Sequence, residues 1–169
     1  HNMCFGTPIS IEYINSVSKI AKQHNLKLHI DGARILNASI ALNVDIKKMV
    51  ENVDSVTFCL SKGLSAPIGS MVCGNSKLIH KIRRIRKTLG GGMRQAGIIA
   101  AAGIVSLDNI KHRIKEDHNN AKLLAEGISQ IKGLAINLKK VKTNIIYFEL
   151  KSTKLTGQQL VADMGKKGI

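Results

Sequence analysis

Aromatic and acidic side chains are scarce in this 169-residue chain, and each scarcity narrows what the protein can do. Aromatics make up 3% and tryptophan is absent, so few flat side chains are available to stack on unpaired bases. Only 11 acids stand against 26 lysines and arginines, giving a formal charge of +15 with histidine neutral. That balance permits salt-dependent contact with phosphates, but it speaks to association and solubility and not to fold. The three cysteines, Cys4, Cys59 and Cys73, are odd in number, with no C-x-x-C spacing and no paired histidines at ligand intervals. Neither a disulfide framework nor a metal site is expected, and a reducing compartment, the cytoplasm, fits best. Long apolar runs are missing too. The longest, residues 96–107, is interrupted by Gly97, Gly103 and Ser106 and falls well short of the roughly twenty residues of a membrane span, so it reads as a buried helix. The chain opens on His1 and stops at Gly168-Ile169 in what reads as a turn, and it is expected to be the central part of a longer polypeptide.

What is present is a regular alternation of periods. Ile9, Ile11, Ile14, Val17, Ile20 and Ala21 recur at mostly three- and four-residue steps, which predicts an amphipathic helix over 9–24. Leu26, Leu28 and Ile30 alternate with Lys27 and His29 into Asp31-Gly32, a strand ending at a polar turn. A helix is predicted over 33–42, a short one capped by Asp45, and strands over 55–60 and 69–73. A basic helix with Leu78, Ile79, Ile82 and Ile85 on its apolar side follows over 75–88. After Gly90-Gly91-Gly92 come a long helical stretch over 94–131, interrupted near Asp108, strands over 133–138 and 143–150, and a helix over 156–166 with Thr156 as N-cap. Strands joined by helical crossovers predict an α/β fold with a mixed, mostly parallel sheet between helices and ligand sites at the carboxyl ends of strands. The later residues read as the start of a smaller α+β domain. The expected division is 1–115 for the large domain and 116–169 for a linking helix and the incomplete small one.

Asp31 and Lys62 each stand just past a predicted strand end. Taken alone, such a pair is more often a capping aspartate and a solvent-facing lysine, because short motifs match by chance. A carboxylate and an amine facing one crevice are also what pyridoxal phosphate chemistry needs: the amine to hold the cofactor covalently, the carboxylate to keep its ring nitrogen protonated.

The surrounding residues decide between these readings. His29-Ile30-Asp31-Gly32-Ala33-Arg34, then Cys59-Leu60-Ser61-Lys62-Gly63-Leu64-Ser65-Ala66-Pro67-Ile68-Gly69-Ser70, then Leu89-Gly90-Gly91-Gly92-Met93-Arg94-Gln95-Ala96-Gly97 closely resemble three successive signatures of the low-specificity L-threonine aldolases. His1-Asn2 with Gly6-Thr7 resembles the segment just upstream in the same family. The resemblance runs in register to about residue 107 and is looser beyond. It implies the fold type I architecture of the aspartate-aminotransferase group, pyridoxal phosphate as cofactor, and reversible retro-aldol cleavage of L-threonine or L-allo-threonine to glycine and acetaldehyde.

By that resemblance Lys62 and Asp31 are the catalytic and cofactor-holding pair, and Arg34 contacts the substrate carboxylate, to which a guanidinium can donate two parallel hydrogen bonds. Ser61 is a candidate ligand of the cofactor phosphate, although a serine there can equally end a strand. Arg94 and Lys87 resemble basic residues that reach the phosphate across a subunit interface, although Lys87 reads at least as well as part of a solvated helix face. A homotetramer is implied on the same ground. Glycines let the backbone approach an anion, and a helix start favours one. His29 lies on the strand face of Asp31 and could support it. Asn144 matches a Thr-Asn pair in similar sequences without a derivable role, while His80, His112 and His118 read as surface residues. Family features outside these residues include the loop for the phosphate, a histidine that stacks on the cofactor, the hydroxyl base and a second arginine. A polypeptide of these 169 residues alone is therefore expected to show little or no aldolase activity. A β-eliminating lyase or an aminotransferase of the same fold would use Asp31 and Lys62 equally well. A basic nucleic-acid-binding module built on residues 77–87 is the rival from another class, and nucleic acid is not the expected partner.

Overall fold

The computed structural model describes residues 4–108, 110–151 and 155–169. Its first unit is a three-stranded sheet. Strand β1 (His29–Asp31) runs parallel to β2 (Ser55–Cys59), with Asp31 opposite Thr57, and β3 (Ser70–Gly74) returns antiparallel on the other side of β2. Successive side chains of a strand point to opposite faces. Ile30, Val56 and Phe58 therefore share one face, which packs on helices α1 (Ile11–Gln23), α2 (Ile35–Leu42) and α3 (Ile46–Val50) around buried Ile35, Ala38 and Met49. The opposite face carries His29, Asp31, Ser55, Thr57, Cys59 and Ser70 and is exposed or half-buried.

Local chemistry sets the boundaries. Ser10 caps α1 through the backbone N–H of Tyr13, and Asp45 caps α3 through that of Lys47. β1 begins later than the alternation predicts, because Asn25 takes a left-handed conformation and the N–H of Leu26 returns to the carbonyl of Ala21, closing the end of α1. Asp54 then joins the two strands: its carboxylate accepts from the N–H of Leu28 and from the Lys27 ammonium, both at 2.9 Å. The Leu28 bond, with help from Lys27, holds that carboxyl below the ordinary aspartate range.

Helix α4 (Ser76–Thr88), capped by Asn75, leads through the glycine turn to α5 (Gly97–Asp108), and α6 (Ile110–Ser129) follows. The expectation of a buried helix over 96–107 needs correction. The helix forms, yet Ile98 is 86% exposed and Ile104 and Val105 are each 61% exposed. Apolar residues surround this helix on every side, and its buried residue is Gly103, which abuts Leu60.

The second unit is a two-stranded antiparallel sheet of β4 (Leu134–Ile136) and β5 (Phe148–Leu150), packed on α6 through Ala121, Ala125 and Val141. Both strands are shorter than predicted. Asn137 caps a 3-10 turn at Leu138–Lys140, which ends β4. Residues 143–147 form no ladder with β4, and two of their side chains reach distant groups: Thr143, fully buried, donates its hydroxyl to the carbonyl of Gly6, and Asn144 accepts from Asn37. Helix α7 (Gly157–Lys166) starts in a capping box formed by Thr156 and Gln159.

Candidate active site

Parallel pairing puts the carboxyl ends of β1 and β2 at the same edge of the sheet. Asp31 is the last residue of β1, and Lys62 follows the end of β2 by three residues. Both are exposed, and neither side chain makes a hydrogen bond or ion pair among the described residues. The segment between Asp31 and α2 is stitched to β2 by backbone bonds: the N–H of Gly32 donates to the carbonyl of Thr57 at 2.8 Å, and that of Cys59 to the carbonyl of Ala33 at 3.3 Å. A methyl group at Gly32 would lie 2.8 Å from that Thr57 oxygen, so only glycine allows this approach.

The Lys62 turn is equally defined. The N–H of Leu60 donates to Gly69, that of Ser65 to Lys62 and that of Ala66 to Leu60. Leu60, Leu64 and Ala66 are buried with Ile114 of α6, which leaves Ser61 and Lys62 outward. Arg34 stands at the N-terminal boundary of α2, half-buried. It lines a small cavity with Asn37, Cys59, Gly63 and Leu64, which places it beside the Lys62 turn. His29 engages the neighbouring strand, with Nδ1 2.9 Å from the Ser55 hydroxyl.

An amine and a carboxylate without partners at one sheet edge, with a guanidinium nearby, suit a group that offers a carbonyl to the first and a basic ring nitrogen to the second. Lys87 lies in the last turn of α4, and Arg94 lies beyond the glycine turn; both are exposed. Among the described residues neither makes a hydrogen bond or ion pair with Asp31, Arg34 or Lys62. The turn itself is tight, because a methyl group at Gly92 would come within 2.7 Å of the Lys87 side chain.

One reading changes. His118, expected at the surface, is 5% exposed, and its Nε2 lies 3.2 Å from Nδ2 of Asn37, itself 2% exposed. The same Nδ2 donates to Oδ1 of Asn144 at 3.3 Å. Burial pushes the His118 imidazole below the ordinary histidine range, Asp117 opposes that, and Lys122 adds to it. The signal was in the sequence, since His118 falls four residues after Ile114 and three before Ala121, on the buried stripe of α6. Lysines around it masked that stripe.

The fold and this sheet edge define the class. Solved structures share the arrangement: an Exiguobacterium protein named for an aromatic amino acid beta-eliminating lyase/threonine aldolase matches 82% of this chain and 39% of its own at TM-score 0.74 and 20% identity. A Listeria monocytogenes protein named for an L-allo-threonine aldolase matches 82% and 39% at TM-score 0.71 and 21% identity. These fix an α/β fold shared with those proteins.

The chain belongs to the beta-eliminating lyase family, whose model matches residues 1–151. It is 48% identical over 165 residues to low-specificity L-threonine aldolase 1 of Arabidopsis thaliana, covering 97% of this chain and 46% of that protein. It is 39% identical over 161 residues to the low specificity L-threonine aldolase of Escherichia coli strain K12, covering 95% and 46%. The chain thus spans about half the length of the curated relatives it matches.

Proposed function

We propose that the full-length protein is a pyridoxal-phosphate-dependent lyase that cleaves L-threonine or L-allo-threonine to glycine and acetaldehyde, and that these residues supply part of its site. The observation that carries this reading is the 48% identity to a named aldolase along 97% of the chain. The convergence of H-x-D-G-A-R and S-K-G on one edge of a parallel strand pair supports it. Bound there, pyridoxal phosphate supplies an electron sink for the pair released when the Cα–Cβ bond breaks. Lys62 holds the cofactor through its amine, and Asp31 keeps the ring nitrogen protonated from a fixed strand end. Arg34 holds the substrate carboxylate. Ser61, Lys87 and Arg94 serve the cofactor phosphate, the latter two from a neighbouring subunit. A homotetramer would also cover the exposed apolar side chains of α5. Residues 1–115 belong in this scheme to the large cofactor-binding domain, and 116–169 to a linking helix and the start of the smaller domain. Among the described residues no helix is long and apolar enough to cross a membrane, and we place the protein in the cytoplasm.

The test uses the purified full-length protein with added cofactor. Acetaldehyde release from L-allo-threonine is expected, together with a visible absorption band that Lys62→Ala removes. Release of ammonia or a keto acid in place of acetaldehyde overturns the aldolase reading in favour of a β-eliminating lyase or aminotransferase. These 169 residues alone are not used for the test, since about half the length of the relatives lies outside them.

A further inference from the structure

The buried polar cluster behind the site is the feature that the proposed function leaves unused. Asn37 on α2, His118 on α6 and Asn144 in the lead to β5 meet from positions 81 and 107 residues apart in sequence, joining the two sheet-bearing units. Both hydrogens of the Asn37 amide are spent, one toward His118 Nε2 and one on Asn144 Oδ1. Its oxygen faces the Lys62 turn: a methyl group at Gly63 would sit 3.2 Å from Asn37 Oδ1. Four residues before His118 on the same face of α6, Ile114 packs on Leu64 of that turn. The turn bearing Lys62 therefore rests on α2 and α6 at adjacent residues, Gly63 and Leu64. A hydrogen-bonded polar network inside a core favours one arrangement of the elements it joins, because a slip strips buried groups of these partners.

We propose that Asn37, His118 and Asn144 together are a positioning device for the Lys62 amine, locking the Lys62 turn to α6 and to the segment leading into β5. This rests on the reading of Lys62 as the cofactor-holding lysine. Because Asn37 Nδ2 is the donor, His118 Nε2 accepts, and the ring carries its hydrogen on Nδ1. A protonated ring would present a second donor to Asn37 and break the lock.

The test takes the full-length protein loaded with pyridoxal phosphate and compares His118→Leu, which removes the acceptor, with His118→Gln, whose carbonyl can replace it. Ala121→Gly, which weakens α6 about one turn beyond His118 without removing any of the three polar groups, serves as the control. The readouts are the visible band of the lysine–cofactor bond, the pH at which it titrates, and kcat. His118→Leu is expected to move that titration by about one pH unit and to lower kcat about tenfold, with His118→Gln recovering most of both. Ala121→Gly is expected to lower the melting temperature only. A normal titration in His118→Leu, or an equal shift in Ala121→Gly, overturns the positioning role. If His118→Leu does not fold, Asn144→Ala is read in the same way. The histidine 15N spectrum of the cofactor-free wild type is a further readout, and a hydrogen on Nε2 of His118 overturns the network. A wild-type protein with no visible band, or a band surviving Lys62→Ala, defeats instead the assignment of Lys62.

Discussion

The two sheet-bearing units are held together in opposite ways. In the unit of β1–β3, order comes mainly from backbone pairing and one apolar face, and Asp31 and Lys62 are left exposed at the edge without a side-chain partner among the described residues. In the unit of β4 and β5 the apolar cluster is small, Ala121, Ala125 and Val141, and side-chain bonds to distant backbone and amide groups tie it to the rest: Thr143 to Gly6, Asn144 to Asn37. The exposed Asp31 and Lys62 sit on the unit ordered mainly by backbone pairing, while the attachment of the other unit depends on buried polar side chains. A rigid frame is what lets an amine and a carboxylate remain exposed without collapsing onto neighbours.

The contrast can be broken with one substitution made twice. Gly32→Ala forces a methyl group to within 2.8 Å of the Thr57 carbonyl in the backbone-ordered unit, where nothing flexible can yield. A loss of about 1–3 kcal/mol is expected, read as a lower urea midpoint with unchanged slope. Gly127→Ala lies on α6 beside the second unit and would meet nothing within 4 Å. There the same change should gain about 0.5–1 kcal/mol by reducing the freedom of the unfolded chain. Equal signs at the two positions would refute the contrast. Between them in size stands Thr143→Val, which keeps the volume but leaves the buried Gly6 carbonyl without its donor. It should cost about 1–2 kcal/mol by the same denaturation assay, and no loss would mean that this bond does not hold the second unit.

How much was legible in the sequence follows the same division. Helices α1, α4 and α7 and strands β2 and β3 were readable from periodicity because each is decided by its own residues; Thr156 was also read as a cap, and Ser10 and Asn75 prove to cap α1 and α4. The positions of Asp31 and Lys62 at and just past strand ends were readable from the turn residues beside them, whereas what singled out these two and Arg34 was the resemblance carried by the surrounding residues. The second unit was misjudged where distant partners decide. Thr143 and Asn144 read as strand residues, and His118 as a surface histidine, since nothing local records that their partners are Gly6 and Asn37. The apolar residues of α5 promised burial, but burial needs a surface that the described residues do not supply.

The smallest expected effect sharpens the comparison through pH. Burial holds the His118 imidazole below the usual value of 6.5, against the attraction of Asp117 and with the repulsion of Lys122. In the unfolded chain the ring takes up a proton as pH falls through 6.5, while the folded ring resists it. Stability is therefore fully present above that value and declines as pH falls below it, until the folded ring also protonates. Among the described residues the first unit has no buried histidine, and His29 lies exposed on its open face, so the decline should belong to the second unit's attachment. Urea midpoints between pH 7 and pH 5.5 should fall more in wild type than in His118→Gln, whose amide does not titrate. Parallel profiles for the two proteins would show that His118 is not held neutral by its surroundings, and the slope would then have to come from groups outside the Asn37 cluster.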